Sequence, residues 1–235
     1  MESIGGIVFD FYGTLVEENG DEIRADQEIF RSYGYELSET MRRHWIDPVT
    51  SLEHVEVSSD RATYSEWQRG LWRRSLRESG IADDDLEPLV DHAVSRSRER
   101  EFSAIPGTIE TLRTIRNAGI RTAVCSNWGW DLTEAVDACG LTDLFEVIVT
   151  SAQAGYRKPH GGIFNTVLER LGLEAGAVLF VGDTWSADIT GALSAGLRAA
   201  QIVRDDDRRD QVVPPSRVTR ISVLRELIPL VALRD

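Results

Sequence analysis

The apolar positions of this chain follow two rhythms. Gly6-Ile7-Val8-Phe9 and Val178-Leu179-Phe180-Val181 are apolar without alternation, the pattern of strands covered on both faces in a parallel sheet. Arg121 to Cys125, Val147 to Thr150 and Ala199 to Val203 read as three further strands. Between them run helical periods. One follows Pro106-Gly107-Thr108, sets Ile109, Leu112 and Ile115 on one face and stops at Gly119. A short one from Asp131 to Cys139 is closed by Gly140. A third aligns Ile163, Val167 and Leu171, with Phe164 and Leu168 beside them, before Gly172, and a small-residue helix spans Ala187 to Ala195. Ser151 to Pro159 reads as a loop, and Arg204 to Asp210 as a solvated charge run. Strand and helix in alternation predict an α/β fold, a doubly wound Rossmann-like parallel sheet.

From about Glu17 to Phe102 the rhythm changes to helical periodicity with no convincing strand, and tryptophans at 45, 67 and 72 suit a bundle core. The expected organisation is a core domain of residues 1–16 and 103–235, with a smaller all-helical domain, residues 17–102, inserted as a lid that excludes water from the chemistry.

Composition narrows the function. The chain has 235 residues, 42% hydrophobic and 28% charged, enough for one large core or two small ones. A formal charge of -13 disfavours nucleic acid or an anionic membrane as partner. The apolar stretches are too short to span a bilayer and no basic segment leads an apolar one at the N-terminus, so the expected location is the cytoplasm; a small anionic substrate would have to be attracted locally. Cys125 and Cys139 read as reduced core thiols. His44, His54, His92 and His160 have no metal-ligand spacing, and His160 is expected at the surface. Lys158 is the only lysine.

The candidate chemistry sits at two strand ends. Asp10 and Asp183 each follow an apolar run beside a glycine-bearing turn, at Gly13 and Gly182, and ligands of parallel sheets bind beyond the carboxyl ends of the strands. Two carboxylates brought together raise each other's pKa, a conflict that a divalent cation removes. A magnesium site is expected there.

In order along the chain stand Asp10-x-Tyr12-Gly13-Thr14, Ser126-Asn127, Lys158-Pro159 and Gly182-Asp183-x-x-x-x-Asp188. This series resembles the haloacid dehalogenase-like (HAD) hydrolase superfamily over nearly the whole chain, with the insert similar to that family's helical cap. The resemblance implies Asp10 as the nucleophile of a covalent aspartyl intermediate and Ser126 or Thr14, beside Asn127, as hydrogen-bond donors to the transferring group. It implies Lys158 as the neutralising cation. Mg²⁺ would be held by Asp10, the Tyr12 main-chain carbonyl and Asp183, with Asp188 on a metal-bound water. Trp128, Trp130 and Trp185, beside the motif strands, are candidates to line a substrate pocket.

One position departs from the pattern. Most phosphatases of the superfamily carry a second aspartate two residues after the nucleophile, where this chain has Tyr12. That acid supplies general acid-base help of roughly 10²- to 10⁴-fold; a phenol of pKa near ~10 is a poor base at neutral pH. A halide leaves without a proton, so Tyr12 favours the 2-haloacid dehalogenase branch, as would a cap arginine at Arg42 or Arg43 set over the substrate. Gly182-Asp183 favours the magnesium-dependent phosphatases, because the dehalogenase branch works without metal and resembles Ser-Ser-Asn-x-x-Asp there. The phosphonate-cleaving branch needs a cap lysine, which this chain lacks. The leading expectation is a Mg²⁺-dependent phosphatase of small phosphate esters. Behind it stand a 2-haloacid dehalogenase and a binding or regulatory protein that keeps the fold with weak catalysis.

Overall fold

A computed structural model describes residues 3–20, 22–204 and 218–231. Strand β1 (Gly6–Phe9) is followed by a tight turn and the short strand β2 (Val16–Glu18); α1 (Glu22–Ser32), α2 (Glu39–Ile46), α3 (Arg61–Glu78) and α4 (Asp83–Glu99) come next. Strand β3 (Phe102–Ala104) pairs with β2, and α5 (Thr108–Asn117), β4 (Arg121–Ser126), α6 (Leu132–Ala138) and β5 (Val147–Thr150) follow. The remainder is α7 (Ser151–Ala154), α8 (Gly161–Leu171), β6 (Val178–Gly182), a π-helical turn (Trp185–Ile189), α9 (Thr190–Ser194), β7 (Arg198–Ile202), β8 (Val218–Ile221) and α10 (Ile228–Val231).

Six strands form one sheet in the order β5-β4-β1-β6-β7-β8, and every neighbouring pair is parallel. The chain fills the sheet from β1 outward on one side and then returns to fill the other. Its switch point therefore lies at β1, between β4 and β6, where connecting helices leave in opposite directions and open a crevice beyond the strand ends.

The expected doubly wound sheet is what the apolar runs build. All four residues of β1 are buried. Ile7 and Phe9 join Leu112, Ile115, Leu132 and Val136 of α5 and α6 on one face, while Val8 joins Ile163, Phe164, Val167 and Leu171 of α8 on the other. A strand covered on both faces has no polar side to alternate with.

The chain divides into two compact units. The first comprises Met1–Glu17, Leu52–Val55 and Phe102–Asp235, and the second Glu18–Ser51 and Glu56–Glu101. Within the second, Phe30, Trp45, Trp72, Leu76, Leu86 and Leu89 form the core of the helical bundle; the third tryptophan, Trp67, is half-buried against Tyr64, ring centroids 5.4 Å apart. Leu52–Val55 interrupts the insert because it is bonded to the first unit. The His54 N-H donates to the Gly155 carbonyl at 2.8 Å, and the Leu52 carbonyl accepts from the Arg157 N-H at 2.9 Å.

Several local expectations change. β2 and β3 form a ribbon at the edges of the insert where no strand was expected, each three residues long and too short for its period to show. The loop from Ser151 opens with the helical turn α7, because the Thr150 hydroxyl accepts from the Gln153 N-H and caps it. The expected helix at Ala187 begins at Trp185 as a π-turn, and β8 and α10 carry no expectation at all. Of the charge run, Asp205 to Asp210 lie outside the described residues. Arg204 is described, and it is half-buried against backbone rather than solvated. Cys125 is buried and Cys139 half-buried, both as free thiols. His160 is half-buried too: it caps α8 through Nδ1 and stacks on Tyr156, centroids 4.7 Å apart.

Replacing Phe164 by alanine tests the two-faced core. Phe164 is fully buried and meets Phe180 edge-on at 5.2 Å, so the change should cost about 3–5 kcal/mol in urea unfolding; a loss below 1 kcal/mol would contradict this packing.

Candidate active site at the sheet switch point

Three strand ends converge at the crevice. Asp10 follows β1, Ser126 closes β4 and Asp183 follows β6. Because β1 is hydrogen-bonded to both β4 and β6, residues far apart in sequence are held as lateral neighbours. Asp188 enters from the π-turn, and Lys158 from the segment between α7 and α8, before a cis Lys158-Pro159 peptide.

The centre is a buried charge cluster. The Lys158 ammonium, 4% exposed as a residue, donates to Asp10 Oδ1 at 2.7 Å and to Asp188 Oδ1 at 2.6 Å. The Ser126 hydroxyl donates to the same Asp10 Oδ1 at 2.8 Å. The Thr184 N-H donates to Asp188 Oδ2 at 3.0 Å. Ligand oxygens of Asp10, Asp183 and Asp188 lie within 4.8 Å of one another. Behind them, Asn127 takes the Lys158 N-H on its Oδ1 at 2.8 Å and gives Nδ2 to the Lys158 carbonyl at 3.1 Å. Both ends of one side-chain amide thus hold the backbone that carries the lysine.

Two glycines make the approach of the loops feasible. Gly13 has φ +81°, and a Cβ there would lie 2.6 Å from Asp183 Oδ2. At Gly182 a Cβ would lie 2.4 Å from the Asp188 carboxyl. Any side chain at either place would separate the acids.

The electrostatics follow from burial and charge count. Burial is the main reason that Asp188 is pushed up to about 7, with Asp10 and Asp183 adding to the rise and Lys158 opposing it. Asp183 rises to about 6, first by burial and then by Asp10. Burial works against charge on Lys158, yet the two carboxylates outweigh it and hold the ammonium well above the ordinary lysine range. Cys125, next to Ser126, is pushed up to about 12 by burial and is no nucleophile at neutral pH. Three acids facing one lysine leave an excess of negative charge, which a hard cation with oxygen ligands would offset.

The remaining expected residues fall into place less uniformly. Among the described residues the fully buried Thr14 hydroxyl has no hydrogen-bond partner, an orphan in the same loop as Asp10 and suited to a ligand oxygen. Tyr12 is 44% exposed and turned onto the Phe102 ring at 6.0 Å. Trp128 is packed against Phe11 and Phe102, centroids 5.4 and 5.3 Å away, and donates its indole N-H to Asp131, which makes it a packing residue. Among the described residues the buried Trp130 indole N-H has no partner. In the insert, Arg43 pairs with Glu39 at an exposed helix surface, whereas Arg42 lines a small cleft with Asp26, Trp45, Arg96 and Arg100 and has a buried Nε with no partner among the described residues.

Two residues outside the motifs reach the site loops. Gln201 of β7, fully buried, donates Nε2 to the Asp183 carbonyl at 3.2 Å, and Arg204 donates to the Gly13 and Thr14 carbonyls, the latter at 3.0 Å. The only signal for them in the sequence is a glutamine inside an apolar strand and an arginine at its end.

With the geometry in place, comparison with known proteins identifies the lineage. The profile of the haloacid dehalogenase-like hydrolases matches residues 7–202. The chain belongs to that family. It is 28% identical to the (S)-2-haloacid dehalogenase of Pseudomonas sp. (strain YL) over 239 residues, 99% of this chain and 97% of the relative. It is 23% identical to the N-acylneuraminate-9-phosphatase of Mus musculus over 206 residues, 88% and 73% of the two chains. The crystal structure of a dehalogenase superposes with a TM-score of 0.66 at 24% identity over the whole of both chains, a shared fold. The family is one of hydrolases; its relatives here include both a carbon-halogen and a phosphate-ester enzyme.

Replacing Lys158 by methionine removes the only positive side chain among the described residues that is bonded to Asp10 and Asp188. A carboxyl whose folded pKa stands above its unfolded value of ~3.9 holds its proton more tightly when folded, so stability falls as pH rises between those values. Asp188 already behaves this way with Lys158 beside it. In the presence of chelator, Lys158→Met should lose about 3–5 kcal/mol at pH 8 and distinctly less at pH 5. A loss in urea unfolding that is independent of pH would contradict the charge assignment.

Proposed function

We propose that this hydrolase is a Mg²⁺-dependent phosphatase of small phosphate esters that works through Asp10. The observation that carries the reading is Asp183, an acid set beside Asp10 and Asp188 across a gap that the bare Gly13 keeps narrow. A metal-free enzyme attacking an anionic substrate gains nothing from a further, half-buried carboxylate at that point. The donor set fits the ion. All three side chains are carboxylates, hard oxygen ligands of the kind that Mg²⁺ accepts, and with the Tyr12 carbonyl they would hold it. When bound, Mg²⁺ supplies charge neutralisation to the acids and to a phosphoryl group beside them.

The chain's own residues have the following parts. Ser126 and Lys158 both donate to Asp10 Oδ1, leaving Oδ2 to attack phosphorus as the phosphorus–ester oxygen bond breaks and the oxygen departs as an alkoxide that takes its proton from water. The product of that step is a phosphorylated Asp10. Water then attacks phosphorus, releases inorganic phosphate and restores the carboxylate. Lys158 offsets the charge gathered on the transferring group, and the Thr14 hydroxyl, unpartnered as it stands, donates to one of its oxygens. Asn127 holds Lys158 in position through its main chain. Among the described residues no helix is long and apolar enough to cross a membrane, and the reading is of an enzyme that meets a small anionic metabolite in the cytoplasm.

A second reading, 2-haloacid dehalogenase, is favoured by Tyr12 and by the relative matched along 97% of its length. Halide release from 2-chloropropionate in the presence of chelator would establish it and remove the first.

Three outcomes test the phosphatase reading. Phosphate release from a panel of phosphate esters should require Mg²⁺ and vanish in Asp10→Asn; release that persists in excess chelator would overturn it. Turnover should be slow except with good leaving groups, and Tyr12→Asp should raise the rate on poor ones by roughly 10²- to 10⁴-fold; an unchanged rate would show that position 12 is not where acid-base help is missing. Since Mg²⁺ must meet ionised carboxylates, and Asp183 and Asp188 are raised to about 6 and 7, its affinity by calorimetry should fall as pH drops from 8 to 5.5.

A further inference from the structure

The two loops that carry Asp10 and Asp183 are both held by one strand. We infer that the carboxyl end of β7 sets the gap between them, with Arg204 as a positioning residue for the Asp10 loop and Gln201 for the Asp183 loop.

Arg204 is bonded to two successive carbonyls, those of Gly13 and Thr14. In an extended chain, successive carbonyls point to opposite sides; here Thr14, the hinge between the two peptides, lies in a turn, and both carbonyls meet one guanidinium. Across a trans peptide the N-H points opposite to the C=O, so fixing the Gly13 carbonyl also fixes the Thr14 N-H on the opposite face of the loop. The loop is already closed from within. The Gly13 N-H donates to the Val16 carbonyl at 2.9 Å, and the Leu15 and Val16 N-H groups both donate to the Phe11 carbonyl, at 2.9 and 3.2 Å. What those bonds leave undetermined is where the closed loop stands relative to Asp183. Gly13 stands so near Asp183 that a Cβ on it would lie 2.6 Å from Oδ2, which leaves the loop little room on that side, and Arg204 restrains it from another.

Gln201 treats the other loop alike. Its Nε2 donates to the Asp183 carbonyl, while its Oε1 accepts from Arg220 of β8 at 3.0 Å. That second bond orients the amide with its donor toward Asp183. Gln201 lies opposite Gly182 on β6 and Arg220 on β8, so the relay runs across three paired strands. With Gln201 and Arg204 three residues apart at the end of β7, one paired strand serves as the common reference for both acids. A planar fork matches two carbonyls where a lysine offers a point charge, so the role belongs to arginine specifically.

The kinetic part of this inference rests on the proposed role of Asp10, and the structural part does not. The experiment compares wild type, Arg204→Lys and Arg204→Ala by hydrogen exchange and by turnover of an aryl phosphate with Mg²⁺. Exchange should quicken by about tenfold or more, as expected from losing a charge-assisted hydrogen bond, in amides 11–16 of both variants. Strand amides 6–9 should stay as in wild type. kcat should fall roughly 10- to 100-fold with KM nearly unchanged, Lys should not restore it, and millimolar guanidinium should recover part of the Arg204→Ala loss. Unchanged exchange in 11–16, exchange that rises equally across the whole sheet, or full activity in Arg204→Lys would each overturn the inference. Should wild type release no phosphate at all, the phosphatase reading fails, and the exchange pattern alone decides the positioning role. Arg204→Lys, which retains the charge and most of the volume, serves if Arg204→Ala does not fold.

Discussion

A single buried ammonium organises this site. Lys158 bonds Asp10 on one side and Asp188 on the other, and without it three acids would stand together in a region that water scarcely reaches. Burying a charge is costly unless it is paired and hydrogen-bonded. The surrounding details supply that pairing: the Asn127 amide fixes the backbone of the lysine, the Thr184 N-H satisfies Asp188, and the Phe180 ring lies 5.3 Å from the ammonium. The lysine also makes the two oxygens of Asp10 unlike, since it shares Oδ1 with Ser126.

The sheet makes that arrangement feasible. A strand order that turns outward in both directions from β1 brings the ends of β1, β4 and β6 together at one crevice, and parallel pairing holds them at strand spacing. Two bare glycine positions then admit the acids closer than any side chain would allow. Backbone geometry provides the scaffold; the acids and lysine provide the charge.

The family has relatives on both sides of a chemical divide, and this chain carries a mark of each. In the proposed reading Asp183 suits chemistry that offsets negative charge by a cation, while Tyr12 suits a leaving group that departs without a proton. The structure keeps these two features apart. Asp183 is beside Asp10, whereas the Tyr12 ring is half exposed and rests on Phe102. A residue can follow Asp10 by two positions and still put its functional group elsewhere.

Much of this was legible in the residues. Unbroken apolar runs at β1 and β6 implied strands buried on both faces, because only a polar face produces alternation, and acids at their ends implied a crevice site. The motif positions Asp10, Ser126, Lys158, Asp183 and Asp188 are brought together by the fold in the way that their order suggested. Three-residue strands β2 and β3 were not legible, since a period of two needs more length to register. Nor was the attachment of Leu52–Val55 to the first unit, which rests on backbone bonds that any sequence can make. The sequence alone determined the fold class and the charges available to the site, because burial and ionisation are properties of side-chain type. Only the tertiary structure decided which oxygen of Asp10 is shared, that the Thr14 hydroxyl has no partner, and that Gln201 and Arg204 reach the acid loops, because each depends on distances between segments that the chain order leaves free.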